Sequence, residues 1–87
     1  MKCSLIVEHN LQGRREKVVL PCKTKAKARR IVAENLAQDF QYCPLEKLDH
    51  DGKIVQDRKN PMLFRFTGTR LKFSTDNSNE YLRYRIV

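Results

Sequence analysis

The sequence predicts an α+β domain, with one helix packed on a curled antiparallel sheet. Three observations carry that prediction. Residues 28–40 place apolar side chains at helical spacing, and residues 81–86 alternate apolar and polar with a period of two. Gly13, Asp51-Gly52 and Gly68 punctuate runs that otherwise read as strands. The expected order is an N-terminal β-hairpin, an amphipathic helix over about residues 24–41, then three or four antiparallel strands.

The hairpin comes first. "KCSLIVE" and "EKVVLPC" are rich in β-branched and apolar residues, and "HNLQGRR" between them supplies a longer loop containing Gly13. Pro21 has no N–H for a ladder, which places its strand at a sheet edge or a strand end. Thr24 is an N-cap for the helix that follows. On a wheel, Ala28, Ile31, Val32, Ala33, Leu36, Ala37 and Phe40 form one arc, opposite Lys27, Arg30, Glu34, Gln38 and Gln41. "YCP" ends the helix, because the residue before Pro44 disfavours helical geometry.

The second half is strand-like. Asp51-Gly52 reads as a tight turn between two arms of "LEKLDHDGKIVQD". In "MLFRFTGTRLKFS", Phe64 and Phe66 share one parity and Leu71 and Phe73 the other, so the phase flips at Gly68. "TDNSN" is a loop of turn formers. In "EYLRYRIV", Leu82, Tyr84 and Ile86 face one way, and Tyr81, Arg83 and Arg85 the other. One helix covers one sheet face only. The other face is expected to carry Arg65, Arg70, Lys72, Tyr81, Arg83 and Arg85.

Eighty-seven residues make a single domain, 1–87, with no room for a second core. The chain is 40% hydrophobic, too apolar for disorder. Its three cysteines, Cys3, Cys22 and Cys43, are scattered and odd in number, which fits free thiols in a reducing compartment. The N-terminal apolar run is too short for a signal peptide, and no run approaches the ~20 residues that span a bilayer. The expected location is the cytoplasm, that of the host cell if the protein is phage-encoded, and no membrane partner is expected.

The net charge is +8, which points to polyanionic partners. The charge is also segregated. Residues 14–30 carry eight cations and one anion, residues 31–57 two cations and six anions, and residues 58–87 seven cations and two anions. Two clusters follow. One joins the helix start to the segment before it: Arg14, Arg15, Lys23, Lys25, Lys27 and Arg30. Cations there oppose the helix dipole, so their presence asks for a reason, and a bound phosphate supplies one. Arg29 falls on the apolar arc and is expected to pair with the acidic middle segment. The other cluster is the strand face, where Tyr81 adds a stacking surface among cations. Outward strand cations also guard against aggregation, so the strand face is less diagnostic than the helix start.

Catalytic readings have little support. Asp49, His50 and Asp51 have the chemistry of a divalent-metal nuclease site, but turn formation explains them as well. Cys3, Cys22 and Cys43, with His9 or His50, would have to converge to bind zinc, whereas scattered cysteines mostly pack as small hydrophobes. There is no G-x-S-x-G and no Gly-rich phosphate loop. The expectation is a non-enzymatic protein without a cofactor.

A hairpin, a helix opening with Ala28-Arg29-Arg30-Ile31-Val32-Ala33 and a following antiparallel sheet resemble small accessory proteins of phages and mobile elements, such as anti-CRISPR proteins. The resemblance implies an inhibitor that docks on a CRISPR surveillance complex through charged side chains. The leading expectation remains a basic binding protein for nucleic acid or a nucleoprotein, as a monomer or weak homodimer. The alternative is a protein-docking anti-defence inhibitor, and the third reading is the nuclease.

Overall fold

In the computed structural model, which describes residues 2–43, 45–75 and 79–87, the chain is an α+β fold. Met1, Pro44 and residues 76–78, on which the expected helix stop at Pro44 and part of the expected "TDNSN" loop fall, lie outside the described residues. The elements are β1 (Cys3–Leu11), β2 (Arg14–Cys22), α1 (Lys25–Tyr42), β3 (Lys47–His50), β4 (Ile54–Gln56), β5 (Phe64–Phe66), β6 (Arg70–Ser74) and β7 (Tyr81–Ile86). Five strands form one antiparallel sheet in the order β2-β1-β7-β6-β3, and β4 pairs with β5 in a second, small sheet.

The hairpin is longer than its sequence suggests. "HNLQGRR" is mostly strand, and only Gln12 and Gly13 turn, with φ of 54° and 79°. Two successive positive φ values match the twist of the flanking strands, so the pair closes directly at Leu11 opposite Arg14. β2 is the sheet edge, as Pro21 requires. Ser4 and Val87 exchange both backbone bonds, at 2.9 and 3.0 Å, so even residues of β1 bond to β7 and odd ones to β2. By the same alternation the Pro21 nitrogen faces the open edge, where no donor is needed.

Thr24 caps the helix, its hydroxyl oxygen accepting from the Lys27 N–H at 3.1 Å. Ala28, Val32, Ala33 and Leu36 are buried against Leu5, Leu71, Phe73, Leu82, Tyr84 and Ile86 of the large sheet. Phe40 is 45% exposed, yet its ring packs 5.3 Å from Phe64 and 5.4 Å from Phe73. The helix backbone comes nearest to β5 while its apolar side chains bury the large sheet, and the helix side of β2 stays open, with Val18 49% and Leu20 37% exposed.

Five strands follow the helix, and Asp51-Gly52 does not join a hairpin. β3 pairs with β6 and β4 with β5, so the turn carries the chain from one sheet to the other. The corner is held by Asp51. Its Oδ1 accepts from the Thr69 and Arg70 N–H groups at 2.7 and 2.9 Å, and its Oδ2 from the Thr69 hydroxyl at 2.6 Å. Those bonds, the Thr69 hydroxyl first, hold its carboxyl down at about 2. Gly68, where the side-chain phase flips, is pressed against the Asp51 backbone and carboxylate. Arg29 Nε donates to the Gly68 carbonyl at 3.0 Å, so this arginine is structural, but its partner is backbone and not an acidic side chain.

Among the described residues no helix is long and apolar enough to cross a membrane.

Candidate nucleic-acid interface

The side-chain alternation of the large sheet decides what its uncovered face carries. Leu82, Tyr84 and Ile86 of β7 are buried under the helix, so Tyr81, Arg83 and Arg85 point away from it on the middle strand of the sheet. β6 adds Arg70, Lys72 and Ser74, and β1 adds Ile6, Glu8 and Asn10. The edges contribute Arg15, Lys17 and Val19 from β2, and Lys47 and Asp49 from β3.

The register sets like charges opposite one another. Arg70 lies across from Arg85, and Lys72 across from Arg83. Directly opposed like charges destabilise a strand pair. The surroundings compensate only in part. On one flank, Glu8 Oε1 accepts from Arg83 Nη2 at 3.0 Å and from Arg85 Nη2 at 2.7 Å. Burial pushes the Glu8 carboxyl up, but the hydrogen bonds from Arg85 and Arg83, and their charges, bring it below its ordinary value. One carboxylate thus serves two guanidinium groups, and among the described residues the buried Nε atoms of both arginines have no hydrogen-bond partner. On the other flank, Arg70 Nη1 meets Asp49 Oδ2 at 3.2 Å, an exposed pair worth about 0–1 kcal/mol.

Above this square of cations sits a different row. Across the strands it runs Arg15, Asn10, Tyr81, Ser74, Lys47. Tyr81 is half-buried, with Lys72 Nζ 5.2 Å and Arg83 Cζ 5.5 Å from its ring centroid. Beside it opens a cavity of about 380 Å³, whose walls include Asn10, Arg15, Lys72, Ser74, Asn79 and Tyr81.

The expected strand-face cluster therefore assembles, with one exception. Arg65 belongs to β5 in the small sheet and lines a separate cavity of about 360 Å³ with Arg29 and Arg30. The expected helix-start cluster divides. Arg15 joins the open sheet face, while Arg14 has the parity of buried Cys22 and lies on the helix side. Lys23, Lys27 and Arg30 line a cavity of about 580 Å³ at the helix start, and Lys25 is exposed nearby. Among the described residues these four cations form no ion pair. The two basic patches thus occupy opposite layers of a slab 18 Å thick. Glu8, Asn10, Lys17 and Ser74 are not marked by the sequence, because only the register places Glu8, Asn10 and Ser74 beside β7 and Lys17 one strand further out on the same face.

No protein-family model, curated protein or solved structure matches the chain.

The other candidate chemistries are placed as follows. The carboxylates of Asp49 and Asp51 face Arg70 and the 69–70 backbone, and His50 Nδ1 lies 2.9 Å from the Asp51 carbonyl oxygen. Cys3 and Cys22 are buried cross-strand neighbours, and Cys43 stands apart after the helix with its thiol pushed up by burial. His9 pairs with Glu16 at 3.2 Å. Among the described residues, no three His, Cys, Asp or Glu side chains are grouped to hold a metal ion.

Proposed function

We infer that the protein is a non-enzymatic binding module for nucleic acid or a nucleoprotein, and that the open face of the large sheet makes the contact. The observation that carries this reading is the pair of directly opposed cations, Arg70 with Arg85 and Lys72 with Arg83. A fold keeps like charges facing each other at a cost, and an arriving phosphate backbone relieves that cost. The strands place Arg15, Lys17, Lys47, Arg70, Lys72, Arg83 and Arg85 on this face against Glu8 and Asp49, net +5. Nothing in the side chains matches a groove-reading motif, so affinity comes from electrostatics more than from base sequence.

The test is oligonucleotide affinity measured across a salt series. A net of five cations predicts a log–log slope of roughly −3.5 for a single strand. Absence of binding at low salt rejects the reading.

A second reading has its own observation. The open β2 edge exposes Val18 at 49%, Val19 at 52% and Leu20 at 37%, beside Arg15 and Lys17. Such an edge suits a protein-docking inhibitor of the anti-CRISPR kind. The outcome that favours it is a protein partner retained after nuclease treatment, with no affinity for free oligonucleotides.

A further inference from the structure

We propose that the cavity beside Tyr81 receives one unstacked base of a single-stranded nucleic acid, which makes single strands, RNA or DNA, the substrate class of this face. The inference rests on the reading of the open sheet face as a nucleic-acid surface.

The argument begins with shape. Five strands spaced at about 4.8 Å make a face about 20 Å across, too broad for the ~12 Å major groove of B-form DNA. A duplex rests on such a face by its phosphates alone, with its bases stacked out of reach. A single strand can lay bases on the surface, and base recognition on a sheet needs an aromatic platform. Tyr81 is the aromatic side chain that the middle strand turns to this face.

The chemistry around it fits a nucleotide part by part. The ring offers stacking area. Asn10 and Ser74, its cross-strand neighbours on either side, supply an amide and a hydroxyl able to bond a base edge. Asn10 is held in place, its Nδ2 donating to the Asn79 carbonyl at 3.1 Å. Lys72 and Arg83 lie over the ring, 5.2 and 5.5 Å from its centroid, and Arg15 stands in the cavity wall, so a base that docks takes ring surface these two long side chains yield or leave free, and its phosphates meet cations. Glu80 also lines the cavity, but its Oε2 is turned to the Gln12 N–H at 2.9 Å. The cavity, about 380 Å³, is ample for one base.

Fluorescence anisotropy tests this with labelled single-stranded DNA, single-stranded RNA and a duplex of the same sequence. The proteins are the parent, Tyr81→Phe, Tyr81→Leu and Asn10→Ala, each checked for an unchanged thermal melt. The parent is expected to bind at least one of the single strands about tenfold more tightly than the duplex. Tyr81→Leu should weaken that single strand by roughly 5- to 150-fold and leave the duplex unchanged, the span expected for one stacked base. Tyr81→Phe should keep the affinity within about twofold, because the ring remains, and Asn10→Ala should lose a few-fold. Equal affinity for duplex and single strands, or single-strand binding indifferent to both Tyr81→Leu and Asn10→Ala, overturns the base site and leaves the nucleic-acid reading standing. No binding to any of the three probes by the parent overturns both.

Discussion

Asp39 is a side chain whose charge works against the fold. It lies on the last turn of the helix, half-buried, with the Tyr84 hydroxyl donating to its Oδ2 at 2.7 Å. Burial pushes its carboxyl above the ordinary value, and the Tyr84 bond only partly offsets that. Burial also drives the Tyr84 hydroxyl far above its usual range, with Asp39 adding to the shift. A carboxyl raised in the folded state favours folding when protonated. Its contribution is therefore greatest below the unfolded value and falls as pH rises through the folded one. Asp39→Asn keeps an acceptor for Tyr84 without the charge. It should melt above the parent at pH 7 and lose that advantage below about pH 4, in paired thermal melts. None of this was legible in the sequence, where Asp39 looked like one more member of an acidic segment. The same limit applies to Arg29. Its place on the apolar arc announced a structural role, but the wheel holds no information about the carbonyl it reaches.

At the scale of elements, periodicity was the dependable guide. The helix over 25–42 and the alternation of β7 stand where the pattern put them, because one buried face imposes its period on the chain. Turn residues were less informative about what they connect. Asp-Gly favours a tight turn, and a turn forms, but whether its arms pair depends on competing strands far away in sequence. Here β6 claims β3 and β5 claims β4. Gly68 marks the place where the two sheets meet. A Cβ there would collide with the carboxylate and backbone of Asp51, and neither can yield while Asp51 holds residues 69 and 70. Gly68→Ala is expected to cost about 2–3 kcal/mol, read as a lower midpoint in urea denaturation.

For the whole molecule, the question is how two basic patches relate. The sequence joins them through net charge, whereas the fold sets the helix start and the open sheet face on opposite layers. The slab is 18 Å thick between its outermost Cα positions, and the two patches meet solvent on its opposite sides. Two double variants separate them. Arg70→Gln with Lys72→Gln should reduce the magnitude of the salt slope by about 1.4 for a single strand. Lys25→Gln with Lys27→Gln should change affinity at physiological salt by less than about threefold. A larger effect from the helix-start pair would move the interface to the other layer. The strand-face grouping was legible from parity except for Arg65, whereas the division of the helix-start group was not. Arg65 shares the strand-like parity of the others and still lands elsewhere, because parity says nothing about which sheet a strand enters, whereas Arg14, expected in the loop, falls on the helix-side parity of β2.

The strand order has a consequence for how the molecule comes into being. β7, the last strand of this chain, is the middle strand of the sheet, and it divides the β1–β2 hairpin from the β6–β3 pair. Without β7, the β1–β2 hairpin and the β6–β3 pair would share no strand, and each would leave an edge unpaired. The final stretch from Tyr81 to Ile86 joins them by inserting between strands up to about eighty residues away, which makes folding a non-local and comparatively slow event. The segment that completes the architecture also brings Tyr81, Arg83 and Arg85. A chain lacking it has neither a finished sheet nor the side chains of Tyr81, Arg83 and Arg85, so under the proposed function binding competence and structural completion would arrive together.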